Sequence, residues 1–166
     1  MAPLGAIFRA RYQLAAGSAW LHDRSRAACS PLSRPASVPR VTTHFDQLGG
    51  DAGIRALVDR FYDLMDSAPE AANIRTLHAK SLKVSRDKLY KFMSGWTGGP
   101  QLYVEEYGHP RLRMRHFPFT IGERERDEWM WCMDRALAEH EAPEELKTFL
   151  RERLQQLADH MRNQPG

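Results

Sequence analysis

The sequence predicts an all-α fold, and three observations support this prediction. Apolar side chains recur at the i, i+3, i+4 and i+7 spacing of helices through most of residues 44–163. No segment alternates apolar and polar residues in the way that a strand does. Helix stop signals such as Pro69 and Gly98-Gly99-Pro100 separate the periodic runs. We therefore expect about five helices, in a chain whose 42% hydrophobic and 27% charged composition is typical of soluble globular proteins.

Residues 1–43 are expected to form an N-terminal extension outside the domain, which spans residues 44–163. Residues 1–40 contain six arginines, no lysine and one acidic residue, so they carry a net charge of +5. Three explanations remain open: a disordered tail, a translation start assigned too far upstream of Val41, and an organelle transit peptide. None of them places functional chemistry in this segment.

The first long helix is expected to begin with Asp51 as its cap and to end before Pro69. Its apolar stripe includes Phe61 and Tyr62. A tyrosine on this stripe directs its hydroxyl into the core, where the hydroxyl needs a hydrogen-bonding partner. Residues 70–80, which include His78, are expected to form an irregular or weakly helical connection in which a histidine is ordinarily solvated.

A second long helix is expected to begin with Ser85 as its cap and to end at Gly98. Its apolar positions are Leu89, Phe92, Met93 and Trp96. Such a stripe would be core in any helical domain.

Residues 101–119 are expected to form a basic loop around His116. Pro118 cannot donate a backbone hydrogen bond and disfavours helical geometry at Phe117, so we expect the chain to break directly after His116. A neutral imidazole held at such a break can supply a bond to iron. The alternative is a histidine that packs beside arginines at a helix boundary.

Two further helices complete the expected fold. A capping box from Thr120 to Glu123 is expected to start the first, whose apolar stripe includes Trp129. Pro143 at a first helical position is expected to open the last helix.

Charge and cysteine content limit the possible partners. The whole chain carries +3, so residues 41–166 carry −2, which argues against a polyanionic partner. The basic cluster in residues 109–115 lacks the interleaved aromatic side chains that stack on nucleotides. Cys29 and Cys132 form neither a disulfide framework nor a close-spaced metal motif, so we expect Cys132 to be a core residue in a reducing, intracellular setting.

Several short motifs, taken in order, closely resemble the group II truncated haemoglobins. They are the Gly-Gly pairs at 49–50 and 98–99, the Phe61-Tyr62 pair, Met-Arg-His-Phe-Pro-Phe around His116, and Trp129. The resemblance covers residues 44–161 and implies a two-on-two sandwich of helices that binds haem. It implies that His116 is the proximal iron ligand and that Arg115 pairs with the haem propionates.

The resemblance also implies the residues of the distal side. Tyr62, Trp129 and His78 would donate hydrogen bonds to a ligand bound at the iron. The wall of the distal pocket would be formed by Leu89, Phe92 and Trp96. Ser85 would stand where many globins carry a distal ligand-binding residue, but its side chain is too short to span the pocket easily.

The function implied by the resemblance is the binding of dioxygen, nitric oxide or carbon monoxide at the ferrous iron of haem b (iron protoporphyrin). One alternative is a haem enzyme with nitric-oxide dioxygenase or peroxidase activity, which would require an external reductase. Another is a haem-free helical interaction module. We expect a cytoplasmic monomer or homodimer without a nucleic-acid or membrane partner. Organelle import is less favoured because the resembled family is mostly bacterial.

Overall fold

The computed structural model describes residues 41–165, and in that range the regular structure is entirely helical. The α-helices are α1 (His44–Gln47), α2 (Gly50–Ser67), α3 (Ala72–Thr76), α4 (Lys83–Trp96), α5 (Leu102–Tyr107), α6 (Leu112–His116), α7 (Glu123–Glu139) and α8 (Glu144–Met161), and a 3-10 helix, Pro69–Ala71, precedes α3. The all-α prediction is confirmed for these residues. The predicted extension lies almost entirely outside the described residues. Within them, no helix combines the length and apolarity needed to cross a membrane.

The four long helices form two packed layers. One layer is the pair α2 and α4, the other is the pair α7 and α8, and α2 packs against α7 between the layers. Each long helix contributes a fully buried large side chain to the core, namely Phe61, Met93, Met133 and Leu150. Burial of this continuous apolar cluster is the main stabilising contribution to the fold.

The predicted N-terminal caps of three helices are wrong. Asp51 and Ser85 lie inside α2 and α4, and Thr120 precedes α7. The first of these helices begins earlier than expected because Gly49 adopts a left-handed φ of 87° and turns the chain there. At α7, the Glu125 carboxylate accepts a hydrogen bond from the backbone N–H of Gly122 at 2.8 Å.

The segment predicted as a basic loop, residues 101–119, instead contains α5 and α6. Runs of five or six residues are too short to show helical periodicity, and arginine is itself a good helix former. The helix α6 begins after Arg111, whose φ of 43° is unusual for a residue with a side chain, and none of the residues of α6 is buried. His116 is therefore carried by a short, largely exposed helix.

Candidate functional site

His116 is the last residue of α6, and its imidazole has a fixed orientation. The Nδ1 atom lies 2.7 Å from the carbonyl oxygen of Leu112, four residues earlier. Because a carbonyl can only accept, Nδ1 is the donor, and Nε2 of the neutral ring keeps its lone pair. A ring oriented by a hydrogen bond from its second nitrogen is the usual arrangement of a metal-ligating histidine.

His78 follows α3 and has the same local design. Its Nδ1 lies 2.9 Å from the carbonyl oxygen of Ile74, so Nε2 of the neutral ring is an acceptor. Burial is the main cause that lowers the pKa of His78, and positive charge at Arg75 and His116 acts in the same direction, against the hydrogen bond to Ile74. His78 is thus a neutral imidazole at neutral pH.

Tyr62 lies on α2, buried next to His78. Its ring centroid is 5.9 Å from that of His78, in an edge-on arrangement. Burial raises the pKa of the Tyr62 phenol, and the hydroxyl of Ser85 and the charge of Arg86 offset this only in part. Tyr62 is therefore a protonated hydrogen-bond donor at neutral pH, and Ser85 faces Tyr62 instead of capping α4.

Trp129 on α7 approaches the same region from the other layer. Its ring centroid is 5.1 Å from that of Phe61, which in turn lies 4.8 Å from that of Tyr62. Trp129 is half-buried, and no described residue accepts a hydrogen bond from its indole N–H. The structure therefore brings Tyr62, His78 and Trp129 into one region, although they come from three separate parts of the chain.

Large apolar side chains are exposed mainly in residues 84–119, the segment that contains α4, α5 and the helix α6 that carries His116. Apart from Val41, at the edge of the described range, they are Val84, Trp96, Val104, Met114, Phe117 and Phe119. Leu89 and Phe92 are half-buried on α4, and Trp96 stacks on Phe92 with ring centroids 6.3 Å apart. A concentration of exposed apolar side chains indicates a surface that binds an apolar partner. Combined with the available Nε2 of His116, it fits haem.

Two cations near Tyr107 are available to an anionic group. Arg115 donates from Nε to the carbonyl oxygen of Pro110 at 2.9 Å and from Nη2 to that of Tyr107 at 3.3 Å. The Nζ of Lys88 lies 5.4 Å from the centroid of the Tyr107 ring. Neither cation forms an ion pair with a carboxylate in the described part of the chain. The sequence did not predict Lys88 as a candidate residue for binding an anionic group. The only sign of such a role was its position directly before Leu89, which was expected to line the pocket.

A separate cleft of about 530 Å³ lies between α2 and α4, away from His116. Among its charged side chains, Arg86 pairs with Asp59 at 3.2 Å, whereas Arg55 pairs with Asp51, outside the lining, at 3.0 Å. It contains neither an exposed aromatic side chain nor a histidine. The cleft adjoins the candidate site through Arg86, whose guanidinium lies 5.7 Å from the centroid of the Tyr62 ring.

Comparison with known proteins agrees with the fold. The model of the family described as bacterial-like globin matches residues 43–163. The group 2 truncated hemoglobin YjbI of Bacillus subtilis is 37% identical over 115 residues, which are 69% of this chain and 85% of that protein. The group II 2-on-2 hemoglobin of Agrobacterium tumefaciens is 44% identical, with a TM-score of 0.74 over 79% of this chain and 100% of that one. A cold-adapted truncated hemoglobin of Pseudoalteromonas haloplanktis is 43% identical, with a TM-score of 0.72 over 74% of this chain and 98% of that one. The chain belongs to the bacterial-like globins and, within them, to the group II truncated haemoglobins.

Proposed function

We propose that this chain binds haem b through His116 and binds dioxygen reversibly. Membership of the truncated haemoglobin family implies haem-based gas binding. The observation that carries the finer proposal is the geometry of His116, whose Nδ1 is engaged by Leu112 while Nε2 remains available.

The proximal side consists of His116 and its neighbours on α6. The hydrogen bond to the Leu112 carbonyl increases the basicity of the ring and fixes its plane. The exposed side chains of Met114 and Phe117 offer apolar contact to a macrocycle. Arg115 and Lys88 supply positive charge for carboxylates at the edge of the cofactor. When bound, haem supplies an iron that takes a diatomic gas as ligand.

The distal side consists of two donors and one acceptor. The phenol of Tyr62 and the indole N–H of Trp129 can each donate a hydrogen bond to a ligand with partial negative charge, which favours dioxygen over carbon monoxide. His78 is suited to a different role from the one that the sequence suggested. Its neutral tautomer presents an acceptor at Nε2, so it orients a neighbouring donor instead of donating to the ligand.

The test is reconstitution of the full chain with haem, followed by absorption spectra of the ferric, ferrous and carbon monoxide forms. His116→Ala is expected to lose tight haem retention, and added imidazole should partly restore the ferrous spectrum. His109→Ala is the matched control, because His109 is exposed and its Nδ1 accepts only the backbone N–H of Arg111 at 3.2 Å. The proposal fails if His116→Ala keeps the normal ferrous spectrum, or if the protein shows no Soret band.

A further inference from the structure

The short helix that carries His116 has few apolar contacts of its own with the core. None of the residues of α6 is buried, and its main packing partner among the described helices is α8. The left-handed conformation of Arg111 at its start is strained, so the turn does not favour this position by itself. The placement of His116 must therefore depend on polar contacts made from outside α6.

One set of these contacts precedes His116. The guanidinium of Arg113 donates from Nη1 to the carbonyl oxygen of His160, in the last turn of α8, and to that of Arg162 at 3.2 Å. A charged donor shared between two carbonyls at a helix C-terminus is a strong contact. It ties the middle of α6 to the end of α8.

The other set follows His116 and depends on the side chain of Asn163. Its Nδ2 donates to the carbonyl oxygen of Phe119 at 2.7 Å and, over a longer distance of 3.4 Å, to that of His116. Its Oδ1 accepts the backbone N–H of Ile121 at 3.0 Å, and its own backbone N–H donates to the Ile121 carbonyl at 3.0 Å. The side-chain amide of Asn163 thus forms hydrogen bonds with three backbone groups between residues 116 and 121. Its Nδ2 donates to two carbonyl oxygens, and its Oδ1 accepts one N–H.

We propose that Asn163 is a positioning residue for the iron ligand His116, an inference that rests on the proposed function. The amide of asparagine matches two carbonyls and one N–H, which neither a carboxylate nor a methyl group can do. By holding the peptide groups that directly follow His116, it limits how far the imidazole can shift or rotate about the last turn of α6. A fixed Nε2 would hold a bound haem more firmly and slow its loss.

The test compares full-length variants reconstituted with haem in the ferrous, unliganded state. The readouts are the iron–histidine stretching band in resonance Raman spectra and the rate of haem transfer to an excess of an acceptor globin. Asn163→Ala removes all side-chain contacts, and Asn163→Asp keeps the acceptor but directs negative charge at the carbonyls of Phe119 and His116. Gln164→Ala is the matched control, because the described hydrogen bond of Gln164 uses only its backbone N–H, 3.2 Å from the Ile121 carbonyl.

Both Asn163 variants are expected to shift or broaden the band and to speed haem loss about tenfold, with unchanged helical circular dichroism. Gln164→Ala should behave as the wild type. The proposal is overturned if folded Asn163→Ala and Asn163→Asp keep the wild-type band and haem-loss rate, or if Gln164→Ala changes both equally. Loss of helical structure in both variants also overturns it, since Asn163 would then act in folding. Absence of the band from the wild type would instead contradict the proposed function.

Discussion

Replacement of Glu128 is expected to destabilise the protein, because this carboxylate caps a helix of another part of the chain. The carboxylate accepts hydrogen bonds from the backbone N–H groups of Asn73 and Ile74 at 2.9 and 2.8 Å, and from Nδ2 of Asn73 at 2.5 Å. The helix α3 has no side-chain cap of its own. The Glu128 side chain is only 11% exposed, so water replaces these bonds poorly.

These contacts allow an estimate of how much the substitution lowers the free energy of unfolding. Loss of a helix cap costs about 0.5 to 2 kcal/mol, and each hydrogen bond to a charged acceptor contributes roughly 1.5 to 3 kcal/mol. Partial hydration of the freed N–H groups offsets some of this, so we expect Glu128→Ala to lower the free energy of unfolding by about 2 to 3 kcal/mol. With a urea m-value near 2 kcal/mol/M, the midpoint should fall by about 1 M. Asp127→Asn is the matched control, since Asp127 is 65% exposed, and should change the free energy by less than about 1 kcal/mol.

The pH dependence gives a second test of Glu128. Although burial acts to raise it, the hydrogen bonds from Ile74 and Asn73 hold the pKa of Glu128 below its ordinary value of 4.5. A depressed pKa stabilises the fold above the pKa of the unfolded state, and this contribution is lost as the pH falls through the folded-state pKa. The difference in unfolding free energy between wild type and Glu128→Gln should therefore be full at pH 7 and shrink below about pH 4.5. Equal urea midpoints for the wild type and Glu128→Ala at pH 7 would refute the capping role.

Three further predictions concern the distal donors, a close backbone contact and the buried thiol. Tyr62→Phe and Trp129→Phe should each speed oxygen release roughly ten- to hundredfold in stopped-flow measurements, with much less change for carbon monoxide, and wild-type rates in both would show that they only pack. Gly53→Ala should lower the free energy of unfolding in urea far more than Gly95→Ala. A Cβ at residue 53 would lie 1.7 Å from the backbone oxygen of Leu48, whereas a Cβ at residue 95 would meet only the flexible end of the Gln101 side chain, at 2.8 Å. Burial raises the pKa of Cys132 to about 11, so peptide mapping after iodoacetamide treatment at pH 8 should find it unmodified in the folded protein and alkylated in urea.

The sequence predicted the long helices and the positions of the side chains on their apolar stripes. Periodicity is sufficient for this, because a stripe repeated over four or five turns has few alternative interpretations. Tyr62 is buried on α2 and Cys132 on α7, as their stripes indicated. The helix α6 ends at His116 as predicted, but the predicted distortion at Phe117 is wrong, because Phe117 keeps helical dihedral angles of −55° and −35°. The helix stops there because Pro118 has no backbone N–H to continue it.

Short helices and contacts between distant residues could not be predicted in this way. The five residues of α6 show no periodicity, and the cap of α3 comes from Glu128, 55 residues away from Asn73. Asn163 and Phe119, which are 44 residues apart, form a pair of the same kind. Polar pairs of this type depend on how the helices pack, so no local pattern in the sequence reports them.

The two histidines of the site share one design, and it explains why the long helices α7 and α8 matter beyond the core. Each imidazole donates from Nδ1 to the carbonyl four residues earlier, and each belongs to a short helical segment. The segment before His78 is capped by Glu128 of α7, and the segment around His116 is held by Asn163 at the end of α8. Because α7 and α8 pack directly against each other, the residues that we propose to position the two imidazoles belong to, or directly follow, one pair of packed helices. A substitution that loosens this pair should therefore disturb both sides of the proposed haem site together, whereas one on the exposed face of α4 should affect only the proposed pocket wall.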